Sequence, residues 1–432
     1  MKKQLAIGLT KLLQVASKLA GKNGSSLPGA YARKVYPGIL KDLRTNVGRV
    51  IFITGTNGKT TTSNVLATIL RENGLRIIHN GEGSNLAAGI TTAFISPQNI
   101  AGTKSFDYAV IEIDEGSIAR VTQEVRPDYF VFTNLFKDQV DRFGTEHDLA
   151  NTLKDVLRDV DTTFLLNGND PYVTHVATDQ PRIFYEFAHD AFDFSTMKRE
   201  ANVTCPSCGG RLAYEHQLYA NLGAFSCPSC DYAAGAPTYV VRDVSPGEVV
   251  INETTYRSSL EGGYNAYNVV AAVAMAKELG LSDADVQKGL DALAFEAGRM
   301  ERIEKDGVTY LLNLAKNTAG LDMSVASIST LPGRKHVYLG VNNTSYDGTD
   351  ASWVNEANYG VLQTDDVERI FCGGSCADVV KRALLDAGVP ESKITTHEGN
   401  TLPDALGRGV DSVLVIPNYT LLTPVRKQLT GE

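Results

Sequence analysis

The chain has 432 residues, enough for two or three domains that each bury a core. With 43% hydrophobic residues, 21% charged residues and 15 prolines, its composition is that of a folded protein and not of a disordered one. The formal net charge of -9 argues against sequence-independent binding of nucleic acid. We therefore expect no nucleic-acid partner.

The N-terminal stretch MKKQLAIGLTKLLQVASKLAGK lacks the cleavage site of a secretory signal. No window of the chain approaches the ~20 uninterrupted apolar residues of a membrane-spanning helix, so a cytoplasmic protein is expected. Apolar residues of this stretch recur at helical spacing: Leu9, Leu12, Leu13, Ala16, Leu19 and Ala20. We expect that helix to pack on its own domain, with peripheral contact with the inner membrane face as the alternative.

Four cysteines form two CPSC knuckles separated by eighteen residues: Cys205, Cys208, Cys227 and Cys230. Two such turns place four thiolates around one tetrahedral position, which is the arrangement of structural zinc. Disulfides are disfavoured for a chain expected in a reducing compartment. Because sulfur would fill all four positions, zinc would have no open site for chemistry, and the sequence predicts a scaffold role.

The other two cysteines, Cys372 and Cys376, follow an apolar run at what resembles a strand-to-helix turn. A glutaminase nucleophile would need a nearby base, and none of the seven histidines has the His-x-Glu spacing of class I amidotransferases. We therefore interpret both as ordinary buried cysteines.

Short apolar runs alternate with helical segments, a pattern that predicts a mainly parallel sheet with helices on both faces. The first set of runs is 49–55, 108–113, 129–134 and 163–168, and the second is 308–314, 336–342, 369–374 and 412–417. The expected organisation is an N-terminal helical segment (1–45), a central α/β domain (46–298) with an inserted ribbon at about 201–238, and a smaller α/β domain (299–432).

The most informative motif is GTNGKTTT at 55–62, which lies between a strand and a helix. A loop in that position directs backbone N–H groups and the positive helix end at phosphates. Its lysine would neutralise β- and γ-phosphate oxygens, and the next threonine would bind Mg²⁺. The predicted nucleotide-binding residues are Gly55, Thr56, Asn57, Gly58, Lys59, Thr60 and Thr61. Since glycines set the loop, replacing Lys59 is expected to stop catalysis without unfolding the chain.

This loop is compressed, because its first glycine lies three residues before Gly58, and it resembles the GTNGKTT signature of the Mur ligase superfamily. Those enzymes use ATP to join amines to carboxylates. The resemblance implies that Glu112 in VIEIDEGS is a second Mg²⁺ ligand and that Asn268 in GGYNAYNVVAAVA contacts adenine. Tyr264 stands where most Mur ligases have histidine. The resemblance also offers Asp138 and Asp141 of TNLFKDQVDRFG as support for the metal site.

A four-cysteine ribbon, a short N-terminal part and the motif DGTDASW (347–353) together resemble the MurT branch, the ligase subunits of lipid II isoglutaminyl synthase. Further matching stretches are SSLPG, GEGSNLAAGI, GRMERI, LNLAKN and IPNYTLL. The resemblance implies a central P-loop ATPase domain with an inserted zinc ribbon and a smaller Rossmann-like C-terminal domain. It also implies that no nucleotide-sugar-binding domain precedes the loop, since only about 45 residues do so. Departures from the family pattern fall at Thr318, Asn343 and Glu356.

The activity implied by the resemblance is amidation of the D-glutamate α-carboxylate in the lipid II stem peptide to D-isoglutamine. The carboxylate would attack the γ-phosphate of ATP, and ammonia would displace phosphate from the resulting acyl phosphate. The implied cofactors are ATP, Mg²⁺ and structural Zn²⁺. The implied catalytic residues are Lys59, Glu112, Lys316 and Asp350, and Arg299 would join Lys316 in closing over the nucleotide from the domain junction.

Ammonia would come from a partner, by resemblance a GatD-type class I glutaminase bound at the C-terminal domain. Asp347, Asp350 and Trp353 form a candidate contact set, although both acids could instead serve the ligase site. Two other functions remain open on the sequence. One is a single-chain ligase of the muropeptide or folylpolyglutamate type, and the other is a zinc-ribbon scaffold without enzymatic activity.

Overall fold

A computed structural model of the chain describes residues 1–19, 24–81, 84–137, 144–178, 180–293, 298–344 and 347–431. Asp138 and Asp141, which were expected near the metal, lie outside these ranges. Within them, no helix is both long enough and apolar enough to cross a membrane.

The described α-helices are α1 (Lys2–Leu19), α2 (Leu27–Val35), α3 (Ile39–Arg44), α4 (Lys59–Glu72), α5 (Ala87–Ile95), α6 (Ile118–Val121), α7 (Glu146–Leu157), α8 (Pro171–Val176), α9 (Gly263–Glu278), α10 (Asp283–Asp291), α11 (Thr318–Ala326), α12 (Ala377–Asp386) and α13 (Tyr419–Thr430). The strands are β1 (Val47–Thr54), β2 (Ile77–His79), β3 (Phe106–Glu112), β4 (Tyr129–Phe132), β5 (Thr163–Asn167), β6 (Arg182–Phe187), β7 (Ala213–Gln217), β8 (Gly223–Ser226), β9 (Tyr239–Ser245), β10 (Glu248–Ile251), β11 (Thr254–Arg257), β12 (Glu301–Lys305), β13 (Val308–Leu312), β14 (Lys335–Gly340), β15 (Val367–Gly373), β16 (Ile394–Thr396) and β17 (Ser412–Pro417).

The larger sheet has nine strands in the order β11-β10-β9-β6-β5-β4-β1-β3-β2. Strand β1 pairs in parallel with both β3 and β4, so that Ile53 lies opposite Glu112 on one side and Val131 on the other. The carboxyl ends of these three strands therefore meet at one edge, the usual ligand position in such sheets. An antiparallel meander of β9, β10 and β11 closes the far side, which the sequence had not predicted.

Apolar residues of the central strands are buried on both faces of this sheet. Phe52 belongs to one apolar cluster and its neighbours Ile51 and Ile53 to another, because successive side chains point to opposite faces. Helices cover both faces, which explains the continuous apolar runs in the sequence.

The segment between β6 and β9 carries the two CPSC knuckles and the hairpin of β7 and β8. It is not a detached module, since Cys205, Phe225 and Cys227 belong to the same apolar cluster as Phe164 of the large sheet. The hydroxyl of Tyr232 also donates to the carbonyl of Pro171. Hydrophobic burial therefore couples this ribbon to the sheet.

A second sheet has six strands in the order β12-β13-β17-β14-β15-β16, parallel except for the β12–β13 pair. It begins at Glu301, after the helices of the first unit end at Asp291. The domain boundary that we expected near 298 stays a prediction. Cys372 and Cys376 are buried here, and burial raises the pKa of Cys372 to about 12, as fits a structural cysteine.

Helix α1 differs from expectation. Leu12 and Leu19, expected to pack on their own domain, are 66% and 85% exposed, so that prediction is wrong for them. The buried side is the opposite one, with Ala6, Ile7 and Thr10. Polar side chains help to fix that orientation, because Lys11 Nζ donates to the carbonyl of Ser96 at 2.9 Å and Gln14 Nε2 to its hydroxyl at 2.6 Å.

Candidate active site

The phosphate-loop candidate follows β1 directly and leads into α4. Gly55 has φ +128° and Gly58 has φ +85°, conformations that side chains other than glycine rarely adopt. A Cβ at Gly55 would lie 2.2 Å from Thr133 Oγ1, and one at Gly58 would lie 2.0 Å from Asn268 Oδ1. Both positions therefore require glycine.

Residues that follow β4 hold this loop in shape. Asn134 Oδ1 accepts from the backbone N–H of Asn57 at 2.8 Å, and its Nδ2 donates to the Asn57 carbonyl at 3.1 Å. Thr133 Oγ1 donates to the same carbonyl at 2.7 Å. Side chains at the end of β4 thus fix the backbone of the loop at Asn57.

Lys59 lies against a carboxylate that the sequence analysis did not single out. Its Nζ donates to the carbonyl of Gly55 and, at 3.0 Å, to Glu115 Oε1, and both charged side chains are at most 10% exposed. Burial lowers the pKa of Lys59, but Glu115 and Glu112 raise it by more, so the net shift is upward. Lys59 is therefore a cation at neutral pH. The sequence carried one signal for this contact, since Glu115 is the second acidic residue after the end of β3, in IEIDE.

Glu112 is 2% exposed and lies beside Thr60. Thr60 Oγ1 donates to Glu112 Oε2 at 2.8 Å, Asn85 Nδ2 donates to Oε1 at 2.9 Å, and Arg299 Nη2 reaches Thr60 Oγ1 at 3.5 Å. Neighbouring oxygens around Mg²⁺ are about 3 Å apart, since each lies about 2.1 Å from the ion. The Thr60 and Glu112 oxygens therefore fit two adjacent positions of a magnesium site. Asn85, in the stretch GEGSNLAAGI, had not been assigned a role.

A cavity of about 490 Å³ opens over this loop, between the two sheets. Its lining includes these residues expected at the site: Thr56, Asn57, Gly58, Lys59, Thr60, Thr61, Glu112, Asn268, Arg299 and Lys316. Asp347 also lines it, and its carboxylate accepts from Thr420 N at 2.9 Å. Asp350 is not among the lining residues and instead accepts from Ser352 N at 2.8 Å. The structure thus places Lys316 and Asp347, but not Asp350, in the wall of this cavity.

One wall of the cavity is aromatic. Tyr219, at the tip of the ribbon hairpin, has its ring centre 5.9 Å from that of Phe136 and 6.2 Å from that of Tyr267. Asn268 lies beside them and is 5% exposed. The ribbon, expected to be a scaffold only, therefore supplies a side chain to the cavity.

Tyr264, at the position where the resembled family mostly has histidine, also lines the cavity. Its hydroxyl is buried, and burial raises its pKa above the ordinary value. A neutral phenol therefore faces the space where the family pattern has an imidazole.

The four ribbon cysteines converge, with all Sγ atoms within 4.8 Å of one another. The Cys205–Cys230 and Cys208–Cys227 sulfur distances are 3.8 and 3.6 Å. Sulfurs bound tetrahedrally to zinc at 2.3 Å are about 3.8 Å apart, whereas a disulfide requires about 2.05 Å. The donor set therefore fits one zinc ion and not two disulfides.

The three departures from the family pattern each make a defined contact. Thr318 Oγ1 donates to the carbonyl of Trp353 at 3.0 Å, and Asn343 Oδ1 accepts from Ser375 Oγ at 2.9 Å. Glu356 forms an ion pair of 2.7 Å with Lys137, which joins the two units at the surface. Thr318 and Asn343 therefore make contacts within the C-terminal unit, and Glu356 makes a contact between the two units.

Comparison with known families gives two matches. The Mur ligase middle domain matches residues 53–276, and the MurT ligase C-terminal domain matches residues 314–422. The chain is 37% identical to the protein named lipid II isoglutaminyl synthase (glutamine-hydrolyzing) subunit MurT of Staphylococcus aureus strain COL, covering 99% of this chain and 98% of that one. It is 32% identical to the protein of the same name from Streptococcus pneumoniae strain ATCC BAA-255 / R6, covering 95% and 93%.

Solved structures support the fold. A pseudomurein peptide ligase type C from Methanothermus fervidus matches with a TM-score of 0.65 at 23% identity, over 85% of this chain and 76% of that one. MurF from Acinetobacter baumannii matches with a TM-score of 0.66 at 15% identity, over 92% and 80%. The arrangement of two α/β units around the phosphate loop is thus shared with these proteins.

Proposed function

This chain belongs to the Mur ligase family, in its MurT branch, and we propose that it amidates the α-carboxylate of D-glutamate in the lipid II stem peptide at the expense of ATP. The observation that carries the proposal is the cavity over the phosphate loop, where one buried cation and a threonine–glutamate oxygen pair face Arg299 and Lys316. The match of the C-terminal unit to the MurT family places this chain with ligases that are named for lipid II.

The reaction requires activation, because a carboxylate has no adequate leaving group for attack by ammonia. A carboxylate oxygen of the substrate attacks the γ-phosphorus, the bond to the bridging oxygen breaks, and ADP leaves. Ammonia then attacks the acyl carbon, the carbon–oxygen bond to phosphate breaks, and inorganic phosphate leaves. The amide nitrogen loses its extra proton to solvent or phosphate. The product is D-isoglutamine.

The protein supplies charge and position to these steps. Lys59 lies where it can reach the β- and γ-phosphates, and Arg299 and Lys316 approach from the second unit. Thr60 and Glu112 would hold a Mg²⁺ ion, whose charge offsets that of the phosphates. Cys205, Cys208, Cys227 and Cys230 would hold structural zinc away from the reacting atoms. Asn268 and the aromatic wall are the candidate contacts for adenine.

The source of ammonia is proposed to be a GatD-type class I glutaminase docked on the C-terminal unit. Two observations support a separate subunit. Relatives are named as subunits of a glutamine-hydrolyzing synthase. Cys372 and Cys376 are 0% and 5% exposed, so neither thiol is open to attack on glutamine. Asp350, which lies outside the cavity lining, remains a candidate for the docking face.

The test is amidation of lipid II by the purified chain with ATP and Mg²⁺, using ammonium or glutamine as the nitrogen source. We expect amide product with ammonium alone and with glutamine only after a glutaminase subunit is added. Product mass separates this activity from the single-chain alternative, since that ligase would add an amino acid. Hydrolysis of glutamine by the chain alone, or no product under either condition, would contradict the proposal.

A matched pair of variants locates the docking face. Asp350→Asn should weaken glutamine-driven amidation more than ammonium-driven amidation if the residue contacts the glutaminase. Asp347→Asn, at the cavity wall, should weaken both equally. Equal losses for Asp350→Asn would assign that residue to the ligase reaction instead.

A further inference from the structure

The outward face of α1 is apolar. Leu5, Leu12, Val15, Ala16 and Leu19 fall within about 100° of arc when an ideal helix is viewed down its axis. Leu5 and Val15 are 64% and 57% exposed, and Leu12 and Leu19 are 66% and 85% exposed. We call these five residues the apolar stripe. A helix already packed on the opposite side does not need the stripe for its own fold.

The surroundings of the apolar stripe are basic. The first 41 residues contain eight lysines and arginines and no aspartate or glutamate, although the whole chain has a net charge of -9. Helical geometry places Lys2 and Lys11 on the two sides of the stripe. On the neighbouring helix α2, the exposed ring of Tyr31 lies 5.3 Å below Lys34 Nζ. The acid groups that do approach this region are engaged: Glu124 pairs with Arg33, and Asp42 with Tyr36 at 2.7 Å.

We propose that the apolar stripe of α1, with the exposed basic side chains beside it such as Lys2 and Lys34, docks this protein on an anionic lipid bilayer. Leucine and valine side chains would enter the boundary between headgroups and acyl chains, while the long lysine stems keep the ammonium groups at headgroup level. A second copy of the chain is a poorer occupant, because it would bring two acid-free basic segments together. An anionic membrane surface attracts a positively charged segment, and exposed aliphatic side chains beside that segment can then insert into the bilayer.

The position of this face suits a lipid-linked substrate. Helix α5 starts next to Leu86, which lines the cavity, and ends at Ile95 beside Ser96, the residue that accepts from Lys11 of α1. Nine residues at 1.5 Å each span about 14 Å. Helix α5 thus runs from the cavity wall at Leu86 to the contact with α1. This relation to the substrate rests on the proposed function, whereas the docking itself does not.

The test uses the full chain and vesicles that contain no lipid II, so its outcome is independent of amidation. One set of vesicles contains phosphatidylglycerol and phosphatidylcholine, and the other phosphatidylcholine alone. We expect co-sedimentation with the anionic vesicles, weakened by added salt, and much less with the neutral ones. Absence of binding to anionic vesicles would overturn the proposal.

Variants locate the contact. Leu12→Asp combined with Val15→Asp should reduce binding by about tenfold or more, because it places two anions in the stripe. Val379→Asp, at an exposed apolar residue of α12, is the matched control and should bind like the unmodified chain. A milder pair, Lys2→Gln with Lys34→Gln, removes charge only and should lower the preference for anionic vesicles. Thermal unfolding verifies that each variant is folded.

Two further outcomes would overturn the proposal. One is binding by the aspartate variant as strong as that of the control. The other is a concentration-dependent dimer, seen by light scattering without vesicles, that the aspartate variant abolishes, since the stripe would then be covered by a second copy.

Discussion

The side-chain amides of Asn57 and Asn317 exchange two hydrogen bonds, of 3.1 and 3.0 Å, across the junction between the two sheets. Asn317 Oδ1 also accepts from the backbone N–H of Gly320 at 2.8 Å and so caps the start of α11. One side chain therefore ties the phosphate loop of the first unit to a helix of the second. We therefore expect this pair to couple nucleotide binding at the loop to the relative position of the two units.

Two variants, Asn317→Ser and Asn317→Ala, separate the role of Asn317 as the cap of α11 from its contact with Asn57. Serine can cap α11 but is too short to reach Asn57, whereas alanine does neither. We expect the alanine variant to be about 1 kcal/mol less stable than the serine variant in urea unfolding. Both should raise the KM for ATP by a similar factor of about five, which corresponds to the loss of about 1 kcal/mol. A normal KM in the serine variant would show that the amide pair does not couple the units.

Lys59→Ala is expected to lower stability as well as activity, in contrast to the expectation from the sequence. Removing the lysine leaves the Glu115 carboxylate buried without its partner. Lys59→Ala combined with Glu115→Gln should restore the thermal unfolding temperature toward that of the unmodified chain but not the turnover of ATP. Turnover within about tenfold of normal in either variant would mean that the transferring phosphate lies elsewhere.

Cys227→Ser should release zinc and destabilise the chain, because binding of structural zinc is part of the folding free energy. The measurements are metal content by mass spectrometry and the urea midpoint. Ser229→Ala, in the same knuckle but without a metal-ligating atom, serves as the control. A preparation without zinc, or a Cys227→Ser chain of unchanged stability, would contradict the prediction.

Tyr219→Ala should weaken nucleotide binding without changing zinc content, since the ring belongs to the cavity and not to the cysteine cluster. Loss of base–aromatic stacking costs about 1–3 kcal/mol, or about 5- to 150-fold in the Kd of a fluorescent ATP analogue. Tyr219→Phe keeps the ring and should bind nearly normally. Equal affinities of the alanine and phenylalanine variants would remove Tyr219 from the nucleotide contacts.

His79 should make the protein sensitive to mild acid. Burial and then Arg71 lower its pKa to about 3, below the ordinary value of 6.5. The unfolded chain therefore binds more protons than the folded chain between these pH values, and stability falls as the pH decreases through this range. At pH 5 the loss is about 2 kcal/mol relative to pH 8. His79→Gln should flatten this part of the pH dependence in urea unfolding, and an unchanged slope would contradict the assignment.

Local pattern was enough to place the loop. The run 49–55 is a continuous apolar strand, and GTNGKT carries its own turn and helix start, so Lys59 and Thr60 could be positioned from adjacent residues alone. The resemblance to the Mur ligases implied Glu112, and the structure brings it to the loop because β1 and β3 are parallel and end at one edge of the sheet. Asn134, which holds the loop from the end of β4, had not been assigned a role.

Contacts between distant segments could not be predicted in this way. Tyr219 enters the cavity because a hairpin far along the chain packs on the large sheet. No periodic pattern in the sequence indicates where that side chain points. The face of α1 was misassigned because both of its sides carry apolar residues, and Ser96, the polar partner of Lys11 and Gln14, follows α5 far along the chain. Asn317 reaches Asn57 only once both units are folded.

The shared apolar cluster of ribbon and sheet has a consequence for a cell short of zinc. Cys205 and Cys227 are members of the same buried cluster as the strands beneath them, so loss of the proposed zinc ion would expose core surface and not merely a surface knuckle. Chains that open in this way become substrates for proteases. Zinc starvation should therefore reduce the amount of this protein per cell, while the surviving molecules keep their specific activity.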